Sequence, residues 1–301
     1  VRKIETGDTE EIVECIGCNQ KCIGRLLQNR AISCVVNPAA GFEEQFSRDI
    51  LFGKSRSSKK VAVVRGSPAG MKAAEIAARK GHKVILFEKS NELCGRVKME
   101  SALPKKEELA GTSRYLKYAL KKLNVDVRLN KIATKEDILA ENPDITVVAT
   151  GSNLVNGEGT YSVEDVISNK VKGETILVMD FDANIEGTGA VEHLANQGKT
   201  IHWVTPVFFN GQDNEVATVL LPIYRRLGEK KVILHPMLVM INFDNGKATL
   251  LNPYFNTTET LEGIDGIVMA GTKAANNSLY NEIRSSLQNV YVIGDAAAPR
   301  N

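Results

Sequence analysis

Four cysteines, Cys15, Cys18, Cys22 and Cys34, follow the pattern C-x2-C-x3-C-x11-C. Three thiolates on one short loop can wrap three corners of an iron–sulfur cubane, and a fourth from further along closes it. Clusters of the [4Fe–4S] type are held by sets of four cysteines with this kind of tight group and distant member. Two plainer readings stand beside that one: a structural zinc site, usually spaced as two separated C-x2-C pairs, and four unrelated buried thiols. A disulfide framework belongs to small secreted chains, which does not describe 301 residues with four of five cysteines gathered near one end. Cys94 stands alone and reads as an ordinary half-buried thiol.

A second chemistry is written at residues 61–74, VAVVRGSPAGMKAA. A strand, a tight turn and a helix start together form a dinucleotide fingerprint. It needs one glycine for the turn, one for close approach to a pyrophosphate and one for helix–strand packing. Arg65 and Ser67 occupy the first two glycine places, Gly66 lies between them, and Gly70, after Ala69, is the third. Arg65 could pair with a phosphate, while Ser67 adds a side chain where backbone should meet the ligand. Glu88, about twenty residues on, stands where a carboxylate accepts from ribose hydroxyls; its plainer reading is a solvated strand-end charge. A second turn, VMDFDANIEGTGAVEHL (178–194), has Asp180 and Asp182 where an anionic pyrophosphate would sit. Like charges at close range repel by about 4 kcal/mol at an effective dielectric near 20. No basic cluster lies nearby in sequence, so this site reads as degenerate, although Gly187 and Gly189 could build a displaced loop. His82, His193, His202 and His235 are scattered and show no triad or metal spacing. Trp203 reads as core. Nothing supplies a general acid for a substrate, which suits a module that moves electrons.

The elements that must position these residues alternate. Strands are expected at 61–64, 83–88, 125–129 and 145–150, with helices from Met71 to Lys80 and over 106–123. The grammar restarts with strands at 174–180, 200–205, 232–235, 266–271 and 289–294 and a helix from Thr188 to Gln197. Strand–helix–strand order implies parallel sheets with right-handed crossovers. The fold expected is α/β: two tandem Rossmann-like domains preceded by an irregular cluster segment. The divisions are 1–52 for the cluster segment, 53–157 plus 285–301 for an FAD- or ADP-binding domain, and 158–284 for an NAD(P)-binding-like domain. With 38 basic and 36 acidic residues and a net charge of +2, no basic stripe suggests nucleic acid or a membrane surface. No apolar run is long enough to span a bilayer and no signal peptide precedes the first motif, so a cytoplasmic protein is expected. Opening on Val1 and closing at Asn301, just after a motif that usually feeds a helix, predicts a piece of something longer.

CIGCNQKC (15–22) followed by SCVVNPAAGFE (33–43) resembles the cluster segment of the 2,4-dienoyl-CoA reductase, enoate reductase and trimethylamine dehydrogenase family, relatives of old yellow enzyme. The resemblance implies an upstream FMN-bearing TIM barrel, of which this sequence has no trace, as a partner domain or subunit holding flavin and substrate. It also implies that electrons pass between a nucleotide-side cofactor and that FMN through the cluster on Cys15, Cys18, Cys22 and Cys34. Asn19, Gln20 and Asn37 are polar candidates for tuning it. ATG (149–151) and IGDAAAPR (293–300) are similar to FAD-domain motifs of the disulfide-reductase type, implying cofactor contacts from Thr150, Gly151, Gly294 and Asp295. FEKSNELCGRV (87–97) resembles the segment around the ribose-binding glutamate, implicating Glu88, Lys89 and Arg96, with Cys94 replacing a glycine. FAD or ADP is the ligand implied, with NAD(P)H left open. The degenerate second turn looks more like the amine-dehydrogenase branch. There the matching domain does not bind NAD, the first site holds ADP, and electrons leave through an electron-transferring flavoprotein.

Overall fold

The computed structural model describes residues 2–155, 157–271 and 273–299. Arg300, the last residue of the 293–300 motif, lies outside them. The strands run β1 (Lys60–Val64), β2 (Lys83–Phe87), β3 (Asp126–Arg128), β4 (Ile145–Val148), β5 (Ser152–Leu154), β6 (Tyr161–Ser162), β7 (Thr175–Asp180) and β8 (Thr200–Val204). They continue as β9 (Val232–His235), β10 (Val239–Asp244), β11 (Lys247–Asn252), β12 (Thr257–Glu262), β13 (Gly266–Ala270), β14 (Lys273–Ala275) and β15 (Val290–Val292).

Two parallel five-stranded sheets carry the molecule, ordered β15-β4-β1-β2-β3 and β6-β13-β7-β8-β9. The central strands are valine- and isoleucine-rich and buried on both faces, as parallel strands covered on two sides must be. In the first sheet, Val61, Val63 and Leu86 pack with Met71 and Ala74 of the helix Pro68–Arg79, and with Leu116 and Leu120 of the helix Ala110–Lys122. Its other face, Ala62, Val64, Ile85 and Phe87, packs with Ile138 and Ile283. The helix Pro68–Arg79 has Ser67 as N-cap and proline in its first turn, and Gly81 follows it at φ 91°.

In the second sheet, Val178 and Trp203 pack on Val191 and Leu194 of the helix Ile185–Asn196. The opposite face, Leu177, Met179 and Val204, is covered by Ala248 and Leu250 from an antiparallel sheet ordered β10-β11-β12. That meander is absent from the sequence expectation, because β12 is exposed and polar and β10, VMINFD, is a mostly exposed apolar run without two-residue alternation. A hairpin signal was present: Asn245 and Gly246, at φ 49° and 76°, form the two-residue loop between β10 and β11. The helix expected from Thr188 begins at Ile185, because Asn184 caps it by accepting from the Glu186 N–H at 2.8 Å. Gly187 and Gly189 therefore lie inside a helix and build no loop.

Candidate functional site

The cysteine loop is folded by local backbone bonds. Gly17, at φ 60°, and Asn19, at φ 55°, supply two left-handed bends between Cys15 and Cys22. The Gly24 N–H donates to the Asn19 carbonyl at 2.8 Å and starts the short helix Ile23–Leu27 directly after Cys22. The chain then doubles back: Ser33 N–H donates to the Lys21 carbonyl at 2.8 Å, which sets Cys34 beside Cys22. Burial pushes the Cys18 thiol up, and Cys22, Cys34 and Cys15 add to that rise, so all four sulfurs share one electrostatic neighbourhood. One backbone donor opposes it, Gln20 N–H to the Cys18 sulfur; a second, Gly17 N–H, donates to the Cys15 sulfur at 3.4 Å. Four thiols with N–H donors aimed at sulfur are the donor chemistry a cluster requires, since hydrogen bonds to sulfur set its potential. Among the described residues no three His, Cys, Asp or Glu side chains close tightly enough around one point to hold a single ion. Asn19 does not turn to the sulfurs; its amide donates to the Ala217 carbonyl at 3.1 Å and ties the loop to the second unit. The Asn37 side chain accepts from Ala39 N–H at 3.3 Å.

At the first nucleotide turn, Gly70 meets a hard steric limit: a Cβ there would lie 2.0 Å from the Arg65 carbonyl oxygen. Gly66 is confined by a side chain instead, with a Leu93 methyl 2.3 Å from its Cβ position. Arg65 sits at φ 88°, a conformation glycine adopts without strain. The Ser67 hydroxyl faces inward, donating to the Ala149 carbonyl at 3.1 Å and accepting the Gly70 N–H at 3.4 Å. It thus takes one of the donors an anion would use at this helix start. Glu88 is buried rather than solvated; its carboxylate accepts Gly66 N–H at 2.8 Å and Ser90 N–H at 2.9 Å. The later motifs converge on the same turn. Gly294, at φ 62°, has Ala69 3.0 Å from its Cβ position, and the Asp295 carboxylate accepts from Ser152 Oγ at 3.5 Å. Thr150 donates to the Asn276 carbonyl and Gly151 follows at φ 75°. Lys89 is exposed and stands apart. Cys94 is fully buried, not half-buried, at φ 80° with its sulfur 3.2 Å from that of Met71.

Arg96 is engaged elsewhere. Its guanidinium meets Glu100 at 3.0 Å, Glu164 at 3.8 Å and the buried Glu186, which Lys273 also reaches at 2.6 Å. Arg96 and Lys273 are the basic pair that local sequence does not reveal; they converge on the second turn from residues far apart in the chain. Asp180 faces inward. It is fully buried, takes the Trp203 indole N–H at 3.1 Å and the Ala183 N–H at 2.9 Å, and burial pushes its carboxyl up to about 7. Its carboxyl atoms fill the place of a Gly187 side chain, 2.2–2.4 Å from the absent Cβ. An internal carboxyl already occupies this helix start, so the residues do not suit a dinucleotide pyrophosphate. Missed from sequence is the His202–His235 pair on neighbouring strands, ring nitrogens 3.0 Å apart, with Glu259 3.6 Å from His235. Strand pairing of β8 with β9 was the only route to it.

No family model matches the chain. Cinnamate reductase of Clostridium sporogenes is 30% identical over 99% of this chain and 45% of its own length. N,N-dimethylglycine/sarcosine dehydrogenase of Chromohalobacter salexigens is 29% identical over 96% and 44%. The structure of histamine dehydrogenase from Rhizobium sp. 4-9 superposes with a TM-score of 0.92 at 24% identity, covering all of this chain and 50% of that one. The chain thus spans about half the length of the curated relatives it matches. No helix among the described residues is long and apolar enough to cross a membrane. Reductases and amine dehydrogenases match the same residues, and the sheets described above are those of the solved relative. The chain therefore belongs to the 2,4-dienoyl-CoA reductase, enoate reductase and trimethylamine dehydrogenase family of oxidoreductases, corresponding to the C-terminal half of its longer members.

Proposed function

We propose that this chain is the electron-transfer half of an iron–sulfur flavoprotein oxidoreductase. Cys15, Cys18, Cys22 and Cys34 hold a [4Fe–4S] cluster, and the first turn holds an adenine nucleotide, FAD or ADP. The observation that carries the reading is the folded cysteine loop, in which the Ser33 N–H to Lys21 carbonyl bond returns the segment bearing Cys34 toward Cys22, with Gln20 and Gly17 N–H groups directed at sulfur. Such a cluster passes one electron at a time, linking a two-electron carrier to a flavin that tolerates a semiquinone. The chain's own residues prepare for it: two backbone N–H groups are directed at sulfur, and partial burial of Cys18, Cys22 and Cys34 limits water. At the nucleotide turn, Gly70 lets the helix start lie against the Arg65 carbonyl. Gly66 and Ser90 hold the Glu88 carboxylate, whose remaining lone pairs can accept ribose hydroxyls. Leu26, Leu27, Ile32 and Val35 are exposed around the cysteines at 57%, 58%, 49% and 41%. Such a patch supports a docked partner, for which an FMN-bearing barrel is the reading.

A second reading keeps the nucleotide as ADP, used for packing, with no oxidation of NAD(P)H; the buried Asp180 at the second helix start favours it. Anaerobic protein should be denatured and its released nucleotide identified by chromatography, and NADH added to the intact protein. FAD with bleaching supports a relay fed from this half. ADP without bleaching supports the second reading. No bound adenine nucleotide refutes both.

A further inference from the structure

Between the cysteine loop, the turn 105–109 and the segment 213–219 lies a cavity of about 260 Å³. Five cations line it: Lys21, Arg25 and Arg30 from the cysteine segment, and Lys105 and Lys106 from the turn. Two carboxylates, Glu108 and Asp213, face the same space, which leaves a surplus of three positive charges (five minus two). The whole chain carries only +2, so this cavity concentrates what the rest of the surface balances. None of the five cations forms an ion pair among the described residues; Arg25 and Lys106 are half-buried, and Lys21, Arg30 and Lys105 are exposed at the rim. Arg25 directs its Nε to the Ala31 carbonyl at 2.6 Å. Glu192, whose charge reaches Lys106, is already held by Arg226 through a second contact of 2.9 Å.

Unpaired like charges brought around one partly enclosed space repel one another, and a multiply charged anion relieves that repulsion. Arginine forks and lysine point charges together suit phosphate oxygens. The volume falls just below the roughly 300 Å³ at which sites for drug-sized ligands begin, so it fits a pyrophosphate group and not a whole dinucleotide. We propose that this cavity is a second phosphate site, taking a small molecule that carries a pyrophosphate and bridging the cysteine segment to the second nucleotide-binding unit. The site stands apart from the turn at residues 65–70 and does not depend on what binds there; Cys18 also lines it, so it borders the proposed cluster and the protein is titrated as anaerobically purified.

The test is calorimetric titration of the full chain with inorganic pyrophosphate at low ionic strength. Saturable binding is expected, weakening as salt rises. The exposed pair R30Q/K105Q should weaken it by roughly tenfold to a hundredfold, the worth of one or two charge-assisted hydrogen bonds. K98Q, in a surface pair with Glu92, should leave it unchanged. The half-buried K106M tests the floor of the cavity, with its folding checked by circular dichroism. Absence of saturable binding into the millimolar range overturns the proposal. So does binding that is displaced by ADP and indifferent to R30Q/K105Q, because it would belong to the first nucleotide turn.

Discussion

Replacing Gly187 with alanine separates two opposing effects by sign. Gly187 lies in the first turn of the helix Ile185–Asn196, where Gly→Ala ordinarily gains about 1 kcal/mol. In this protein the new methyl would lie 2.2–2.4 Å from all three atoms of the Asp180 carboxyl, well inside contact distance. Overpacking costs about 1–3 kcal/mol, and displacing the carboxyl leaves the Trp203 and Ala183 donors unpaired at about 1–3 kcal/mol each. G187A should therefore destabilise by at least about 2 kcal/mol net, and by up to about 8 kcal/mol if the carboxyl is fully displaced. In an Asp180→Ala background the obstruction is gone, and the same change should stabilise by about 0.5–1 kcal/mol. Urea midpoints at constant m-value measure both arms. The reasoning is refuted if G187A has the same sign in both backgrounds, since the carboxyl would then not occupy that slot.

Asp180 carries a further consequence for pH. Its carboxyl is raised to about 7 from an ordinary value of 3.8. The folded protein thus holds a proton the unfolded chain has released, and the contribution is complete below about pH 4 and lost as pH rises through 7. The span is on the order of 4 kcal/mol, and Asp180→Asn should abolish that slope. The His202–His235 pair acts in the opposite sense: burial lowers both, and His235 lowers His202 further. Their stabilising effect is present above about pH 6.5 and lost as pH falls. A H202Q/H235Q variant should retain more of its stability between pH 7 and 5 than the parent, leaving the share of His193, also lowered by burial, and the opposite slope of Asp180. Arg65→Gly should stabilise by about 0.5–1 kcal/mol, because left-handed strain of about 1–2 kcal/mol exceeds the added chain entropy. If Arg65 holds a phosphate, the same variant should bind ADP more weakly by calorimetry, and unchanged affinity removes it from the site.

The parallel sheets were legible because β1, β2, β7 and β8 are short apolar runs, each followed by a turn or helix signal. The spacing of the cysteines and the place of Glu88 in the chain likewise lie open in the sequence. What was hidden depends on tertiary approach. The plainer alternative for Glu88, a solvated strand-end charge, falls away only when Gly66 and Ser90 are seen to enclose it. Asp180 reads as a charge facing a ligand until Trp203, 23 residues on, is seen to turn it inward. Arg96 stands in the sequence on a shared cofactor motif; that Glu186, 90 residues away, reaches its guanidinium shows only in the structure. The meander at 239–262 escaped because β12 is polar and solvated, and β10 carries Val239, Met240, Ile241 and Phe243 without two-residue alternation.

The account turns on the four thiols near the start of the chain. The direct measurement is iron and acid-labile sulfide in anaerobically purified protein, with Cys18→Ser and Cys34→Ser alongside. About four irons and four sulfides per chain are predicted for the parent, with iron lost from both variants. Zinc in place of iron, or a parent and variants equally free of iron and sulfide, would contradict it.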